Sequence, residues 1–281
     1  MTTYLIADEF ETDYIRGGQL NDAALVSYLD IPITKIRSIN LNAIEKDAFY
    51  IIGNFIGIPE EIKIQLAKEG NYVIYEKDHK YACVPGYPRH PLVWPDGIVP
   101  ADKLRWESFY NGARAVITLT KWHQLQVEKN LPKANIECIH GSLWSAKELD
   151  IIDYIRENVP HSRGYGIQNI YYKNPQAAIE ECNKRYLRYT LIPKIDDKER
   201  FLKALCSHKS LVFFPNIPET CSRLLVEAKM LGLDVITNKL SGAVHEPWFQ
   251  LRGKELTDHF RNKIIPDAVK LFEEYINEMS T

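Results

Sequence analysis

Cysteine is scarce in this 281-residue chain, and its five cysteines include no Cys-x-x-Cys pair. An odd number of widely spaced thiols argues against a disulfide framework or a structural zinc site and fits a reducing compartment. Net charge is also small, formally −2 at pH 7. Such a balance excludes a strongly basic nucleic-acid-binding protein, although it leaves a local basic groove open.

Long hydrophobic runs are absent as well. No stretch reaches the roughly 18 uncharged apolar residues that a membrane helix requires. The N-terminal residues pass directly into an apolar segment, without the basic region or the small-residue cleavage site of a signal peptide. We therefore expect a cytoplasmic protein without a transmembrane segment.

The residues that are present predict a folded α/β protein. Hydrophobic residues make up 45% of the chain and charged residues 26%, which supports a sizeable core. Short β-rich runs alternate with segments of helical period, a pattern typical of parallel sheets covered by helices on both faces. Strands are predicted at 4–7, 33–39, 49–52, 72–75, 115–119, 135–139, 167–172, 189–192, 211–214 and 234–237.

The chain is long enough for two domains of ordinary size. Residues 160–164 are polar and contain proline and glycine, so they resemble a linker. We predict an N-terminal domain over residues 1–150 and a C-terminal domain over residues 151–281. The second domain is expected to include a final helix over 264–279, whose apolar residues recur at helical spacing.

The segment over residues 77–102 interrupts this alternation. It contains five prolines and is predicted to be a functional loop rather than regular structure. Its cations and aromatic residues suit either a sugar-phosphate acceptor or a nucleic-acid strand with a hydroxylated base. They are Lys77, His79, Lys80, Tyr81, Tyr87, Arg89, His90 and Trp94. Residues 1–150 hold 16 Lys and Arg against 20 Asp and Glu, which favours the sugar phosphate over DNA.

The most informative segment is 213–236, where a predicted strand is followed by a turn and a helix. The turn carries Glu219, and Glu227 follows eight residues later. The amides of Cys221, Ser222 and Arg223 are expected at the positive end of the helix, where they would suit a diphosphate. The alternative interpretation is a capped helix with two solvated glutamates.

This segment resembles a known signature. Glu, seven residues, Glu, then Ala, two residues and Gly is similar to the E-x7-E motif of retaining GT-B glycosyltransferases of the family-4 type. The resemblance implies two Rossmann-like domains whose parallel sheets face across a cleft. It implies that Glu227 binds the donor ribose, that Glu219 lies against the sugar and that the amides of 221–223 hold the diphosphate. Cys221 and Ser222 depart from the family, which usually has an aromatic or small residue followed by glycine.

Other residues extend the resemblance. Gly17 and Gly18 after the first strand resemble the family's glycine loop, which approaches donor phosphate and acceptor; the alternative is a plain strand-to-helix turn. His79 follows the fourth strand, where the family's histidine touches the sugar, although a surface histidine in a charged turn fits equally. The resemblance gives Lys173 the role of a cation on the donor phosphates, with Arg163 as a second candidate.

The expected function is transfer of a sugar from a nucleotide donor, such as a UDP- or GDP-sugar, to a hydroxyl acceptor. The same resemblance implies that the sugar is transferred with retention of its anomeric configuration and that no metal or other cofactor is required. The absence of Asp-x-Asp disfavours a metal-dependent GT-A enzyme, and the absence of Gly-x-Gly-x-x-Gly disfavours a dehydrogenase. A GT-B-like sugar-nucleotide epimerase and a catalytically degenerate sugar-nucleotide-binding protein remain as alternatives.

Overall fold

The computed structural model describes residues 2–13, 16–82 and 90–278, apart from the side chain of Tyr172. The chain divides into two compact units. One extends to Ser145 and includes the C-terminal segment from Ile264 onward, and the other is Ala146–Lys263. Within the described ranges, no helix has the length and apolar character needed to cross a membrane.

The first unit alternates strands and helices. Its elements are β1 (Thr2–Ala7), α1 (Gly17–Tyr28), β2 (Ile33–Arg37), β3 (Ala48–Ile52), α2 (Glu60–Glu69), β4 (Tyr72–Tyr75), α3 (Glu107–Asn111), β5 (Ala115–Thr118), α4 (Lys121–Asn130) and β6 (Ile136–Cys138). Short 3₁₀ turns lie at Ser38–Asn40, Pro91–Val93 and Pro95–Gly97.

The strands of this unit form one parallel sheet in the order β2-β1-β3-β4-β5-β6. Every residue of β3, β4 and β5 is buried, as expected for a parallel sheet covered on both faces. Local signals set the helix ends. Helix α2 ends where Gly70 adopts φ +71°, and α4 begins where the Thr120 hydroxyl accepts the amide of His123.

The second unit repeats the pattern with fewer strands. Its elements are α5 (Ala146–Asn158), β7 (Arg163–Gln168), α6 (Pro175–Lys184), β8 (Tyr189–Ile192), α7 (Lys198–Cys206), β9 (His208–Phe213), α8 (Arg223–Met230), β10 (Asp234–Thr237) and α9 (Gly253–His259). Its strands are parallel in the order β10-β9-β7-β8. The prediction of an α/β protein with parallel sheets is therefore confirmed. Helix α9 is absent from the sequence-based prediction because its seven residues are too few to establish a period.

Strand β7 differs from its prediction. It begins at Arg163 and ends at Gln168, about four residues earlier than the run 167–172 suggests. The difference arises from the glycines of β7. In the sequence they suggest a linker, but in the structure they let side chains of the neighbouring segments pack closely against the strand. A Cβ on Gly166 would lie 2.9 Å from the His208 ring and 3.0 Å from Ile192. Part of the predicted linker at 160–164 is thus a strand.

The C-terminal helix α10 (Ile265–Asn277) follows a π-helical turn at Phe260–Ile264 and belongs to the first unit, not to the C-terminal domain as predicted. Its Phe272 ring packs edge-on against Tyr75 with 5.2 Å between centroids. The Tyr275 hydroxyl accepts a hydrogen bond from Asn135 at 3.1 Å. Helical spacing predicts the buried face of such a helix but contains no information about which surface that face covers.

Candidate functional site

The second sheet has a topological switch point between β7 and β9. The chain passes from β7 to β8 on one side and then returns to β9 on the other. In open parallel sheets, ligands bind beyond the carboxyl ends of the strands at such a point. Lys173 follows the carboxyl end of β7 and Glu219 follows that of β9. These two sequence-predicted residues therefore belong to the expected ligand-binding edge.

Lys173 and Glu219 are in direct contact. The Lys173 ammonium lies 2.6 Å from Glu219 Oε1, and the two side chains are 25% and 23% exposed. The ammonium also lies 5.6 Å from the centroid of the Phe213 ring. Beside the pair, the Asn174 amide donates to the Phe214 carbonyl at 3.0 Å, which ties together the two segments that follow β7 and β9. Residues 46 positions apart thus form one small charged site.

The backbone of Glu219 is held by a single parallel bridge to Ser241. Its N–H donates to Leu240 and its carbonyl accepts from Gly242, both at 2.8 Å. The nearby Asn238 amide donates to the Pro215 carbonyl at 2.8 Å. The turn that carries Glu219 is consequently anchored at both of its backbone polar groups.

Helix α8 begins later than predicted. Ser222 is its N-cap and Arg223 its first residue, so Cys221 precedes the helix. The three residues are buried, and the Ser222 amide lies 3.4 Å from Ser241 Oγ. The hydroxyl of Ser222 is buried without a hydrogen-bond partner among the described residues. The first-turn donors of α8 thus begin at the Ser222–Arg223 junction rather than at Cys221.

Glu227 is held by two cations. This carboxylate is 1% exposed, and its Oε1 lies 2.5 Å from Lys198 Nζ and 3.5 Å from Arg223 Nε. The guanidinium of Arg223 also donates to Glu148 at 2.5 Å. The four residues form a chain of alternating charge, Glu148–Arg223–Glu227–Lys198, which we call the Glu227 network. The Arg223 side chain is thus engaged with two carboxylates.

Sequence reasoning misses Lys198 and Glu148. Lys198 is the first residue of α7, after an Asp197 N-cap that accepts the Arg200 amide at 2.7 Å. A cation in the first turn of a helix faces the positive end of the helix dipole, which is unfavourable unless a carboxylate compensates. That position is a usable sequence signal for Lys198. Glu148 on α5 is one of many helix-surface acids and offers no such signal.

Arg163 is not brought together with the other candidates. It is exposed at the amino end of β7, paired in register with His208. Lys173 lies beyond the opposite end of that strand. Five residue steps of β-strand separate Arg163 from Gln168, or about 16 Å. The early start of β7 is the physical reason for this difference from the prediction.

The first sheet has its own switch point, between β1 and β3. Gly17 and Gly18 begin α1 after β1, and a Cβ on Gly18 would lie 3.7 Å from Lys77 Cε. Lys77 forms a buried ion pair with Asp22. Burial raises the pKa of Asp22 and lowers that of Lys77. A Cβ on Gly53 would lie 2.7 Å from the Asp22 carboxylate, so Gly53 must be a glycine for this pair to fit.

His79 is 1% exposed, in contrast to the surface histidine considered above. Its Nδ1 lies 2.9 Å from the Tyr81 hydroxyl, and its ring meets that of His123 with 4.7 Å between centroids. Burial lowers the pKa of His79 well below its usual value, so the imidazole is neutral. Its Nε2 is buried without a hydrogen-bond partner among the described residues.

Glu76, directly after β4, is fully buried beside His79. It accepts from Lys80 at 2.9 Å, from the Asp78 amide at 3.0 Å and from the Tyr110 hydroxyl. Burial opposes ionisation of Glu76, but the Lys80 ammonium and the Tyr110 hydroxyl outweigh it and lower the pKa to about 2.

Charged and aromatic side chains at the start of the segment over 77–102 are therefore more buried than its composition suggests. Lys77 and Lys80 are held in buried ion pairs, and Tyr81 is fully buried. Tyr87 and Arg89 lie outside the described residues. These buried side chains belong to the core of the unit, where they are not presented to a nucleic-acid strand.

This chain is similar to known proteins in its structure but not in its sequence. No protein-family profile and no curated protein matches the chain by sequence. Solved structures do match. The HepE protein of Anabaena in complex with UDP-glucose has a TM-score of 0.53 at 12% identity, with 100% of this chain and 93% of that chain covered.

Two further structures agree. The trehalose-6-phosphate synthase OtsA has a TM-score of 0.56 at 9% identity, with 100% and 95% covered. The catalytic domain of starch synthase IV from Arabidopsis thaliana, bound to ADP and acarbose, has a TM-score of 0.50 at 8% identity, with 99% of both chains covered. The chain has the GT-B fold. At these identities the likeness concerns the fold and leaves residue roles open.

Proposed function

We propose that this protein is a glycosyltransferase that moves a sugar from a nucleotide donor to a hydroxyl acceptor. The observation that carries the proposal is the Lys173–Glu219 pair at the switch point of the second sheet. It combines a phosphate-binding cation with a hydroxyl-binding carboxylate at the ligand-binding edge of a GT-B fold. Structures with this fold include ones bound to UDP-glucose and to ADP.

In this proposal each candidate has a separate task. Glu227 binds the ribose hydroxyls, while the first-turn amides of α8 and Lys173 bind the diphosphate. Glu219 binds hydroxyls of the donor sugar. Gly17 and Gly18 have no side chain, so the backbone that follows β1 can approach a ligand closely. Arg163 has no role here because it lies at the other end of its strand.

The proposed chemistry is departure of the nucleoside diphosphate with retention at the anomeric carbon. Negative charge develops on the leaving phosphate, and a cation and oriented amides stabilise it where it forms. The same phosphate accepts the proton of the acceptor hydroxyl, so no side-chain nucleophile is required. No metal or other cofactor takes part.

The direct test is a thermal-shift screen with UDP-, GDP-, ADP- and dTDP-sugars, followed by product analysis. A ligand at about 100 times its dissociation constant stabilises the folded protein by about 2.7 kcal/mol. NMR of the product then reports the anomeric configuration. A screen with no stabilising sugar nucleotide, or a product with the sugar still on the nucleotide, contradicts sugar transfer.

Glu227→Gln is expected to weaken nucleotide binding by about 1.5–3 kcal/mol, or roughly 10- to 150-fold, because the neutral amide loses charge-assisted hydrogen bonds to the ribose. Calorimetric titration of the nucleotide selected in the screen measures the effect. Glu181→Gln on α6, which removes an ion pair with Arg185 just beyond the helix, is the control and should leave affinity unchanged. Unchanged affinity in a folded Glu227 variant contradicts the ribose role.

Sugar transfer is expected to continue in excess EDTA, because Lys173 and the α8 amides neutralise the phosphates. The measurement compares initial rates with EDTA, with added Mg²⁺ and with added Mn²⁺. Complete loss of activity on chelation, restored by either ion, is the result that would overturn metal independence.

A further inference from the structure

We propose that Lys173 exchanges between Glu219 and the donor diphosphate, so that Glu219 is an internal competitor of the nucleotide anion. The inference rests on the proposed function and goes beyond it, since it assigns Glu219 a role before the sugar is engaged. In the structure the cation and the carboxylate neutralise each other. Arrival of the diphosphate separates them and releases Glu219 toward the sugar.

The pair has the properties of a labile contact. Its two side chains are each about a quarter exposed, so water reaches both charges and weakens their attraction relative to that of a fully buried pair. A diphosphate offers more negative charge and several acceptor oxygens, so it competes effectively for one ammonium. The Glu227 network differs, because Glu227 is 1% exposed and two cations hold it.

The geometry also decides which partner moves. The Glu219 backbone is fixed through Leu240 and Gly242, so its carboxylate has a short reach. Lys173 has a four-carbon stem, and its ammonium lies over the Phe213 ring, which shields one side. The ammonium therefore swings between acceptors while the carboxylate stays at the edge of the sheet.

This arrangement has an unusual consequence for binding. In the wild type, nucleoside diphosphate must displace Glu219 from Lys173 and tolerate the carboxylate nearby. Glu219→Gln removes both penalties. The variant is expected to bind the nucleoside diphosphate about three- to tenfold more tightly than wild type, while sugar transfer falls because the sugar loses its carboxylate.

The experiment is calorimetric titration of UDP, GDP and ADP, and of the corresponding nucleosides, into wild type, Glu219→Gln, Lys173→Met and the double variant. Glu219→Gln should tighten diphosphate binding and leave nucleoside binding unchanged. Lys173→Met should weaken diphosphate binding, and the gain from Glu219→Gln should shrink in its background. Glu199→Gln is the matched control, since it removes a Lys203 pair of the same 2.6 Å length, and it should change nothing.

Each outcome decides the proposal. Equal or weaker diphosphate binding by a folded Glu219→Gln variant, or a gain that persists without Lys173, overturns the exchange while leaving sugar transfer intact. Glu219→Ala repeats the test if Glu219→Gln melts before wild type. A wild-type protein that binds none of the three diphosphates contradicts the proposed function itself, and the exchange with it.

Discussion

Glu76→Leu is expected to lower the unfolding free energy of the first unit by about 3–5 kcal/mol. Breaking a buried ion pair by removing one partner costs about this much, because the remaining buried charge is compensated less well. Lys80, which is buried, keeps the mostly exposed Asp78 as its remaining carboxylate. The Tyr110 hydroxyl also loses its acceptor in the core.

Urea denaturation followed by tryptophan fluorescence measures this effect, because four of the five tryptophans belong to the first unit. They are Trp94, Trp106, Trp122 and Trp144. Asp102→Asn is the control, since it removes an exposed pair with Lys103 and should cost less than about 1 kcal/mol. A Glu76→Leu variant as stable as this control would show that the buried pair contributes little.

Acidification is the second large effect expected for the first unit. Burial lowers the pKa of His123 to about 4, so the folded protein keeps this imidazole neutral while the unfolded chain protonates it near pH 6.5. Its contribution to the free energy of unfolding, about 3 kcal/mol in all, is fully present above pH 6.5 and is lost as the pH falls toward 4. Burial of His79 acts in the same direction.

Glu76 extends the loss to lower pH. Its folded-state pKa is also below the usual value, so its contribution is complete above about pH 4.5. That contribution, again about 3 kcal/mol, disappears as the pH falls through the folded-state pKa of about 2. The charged groups around His123 are Glu76, Asp78 and Lys80, which partly offset one another, and its ring also faces that of His79.

Urea midpoints measured between about pH 7 and pH 4 test this expectation. His123→Gln should be less stable than wild type at neutral pH, because it loses contacts to Leu119 and Asp78, but its stability should decline less on acidification. His161→Gln in the second unit is the control. Parallel pH profiles for wild type and His123→Gln would contradict the assignment to His123.

Burial of the Glu227 carboxylate carries a desolvation cost that its two cations must offset. Buried ion pairs are frequently no more stabilising than apolar residues of similar volume, because each charge loses its hydration. Glu148, Arg223 and Lys198 come from three different helices and converge around a carboxylate of 1% exposure. Such an arrangement holds Glu227 in one orientation. That is the property a ribose-binding carboxylate needs.

The elements around Glu219 and Glu227 could be predicted from the sequence because their signals are local. An apolar run, a turn and an apolar period of 3.6 residues define β9, the turn at Glu219 and α8. The same local signals predicted α2, which ends where Gly70 adopts the left-handed backbone conformation. Alternation of such elements predicted the parallel sheets, and strand ends predicted the edge on which Lys173 and Glu219 lie.

Other features depend on residues far apart in the chain and were decided by tertiary structure alone. Polarity around His79 suggests a surface turn, yet Glu76, His79 and Lys80 are buried there, and the charges of Glu76 and Lys80 neutralise each other. The sequence determined the fold class and two glutamates worth testing, since periodicity and spacing are local properties. Tertiary structure decided the partners, Lys173 for Glu219 and Lys198 for Glu227, because burial and ion pairing depend on which distant segments share a site.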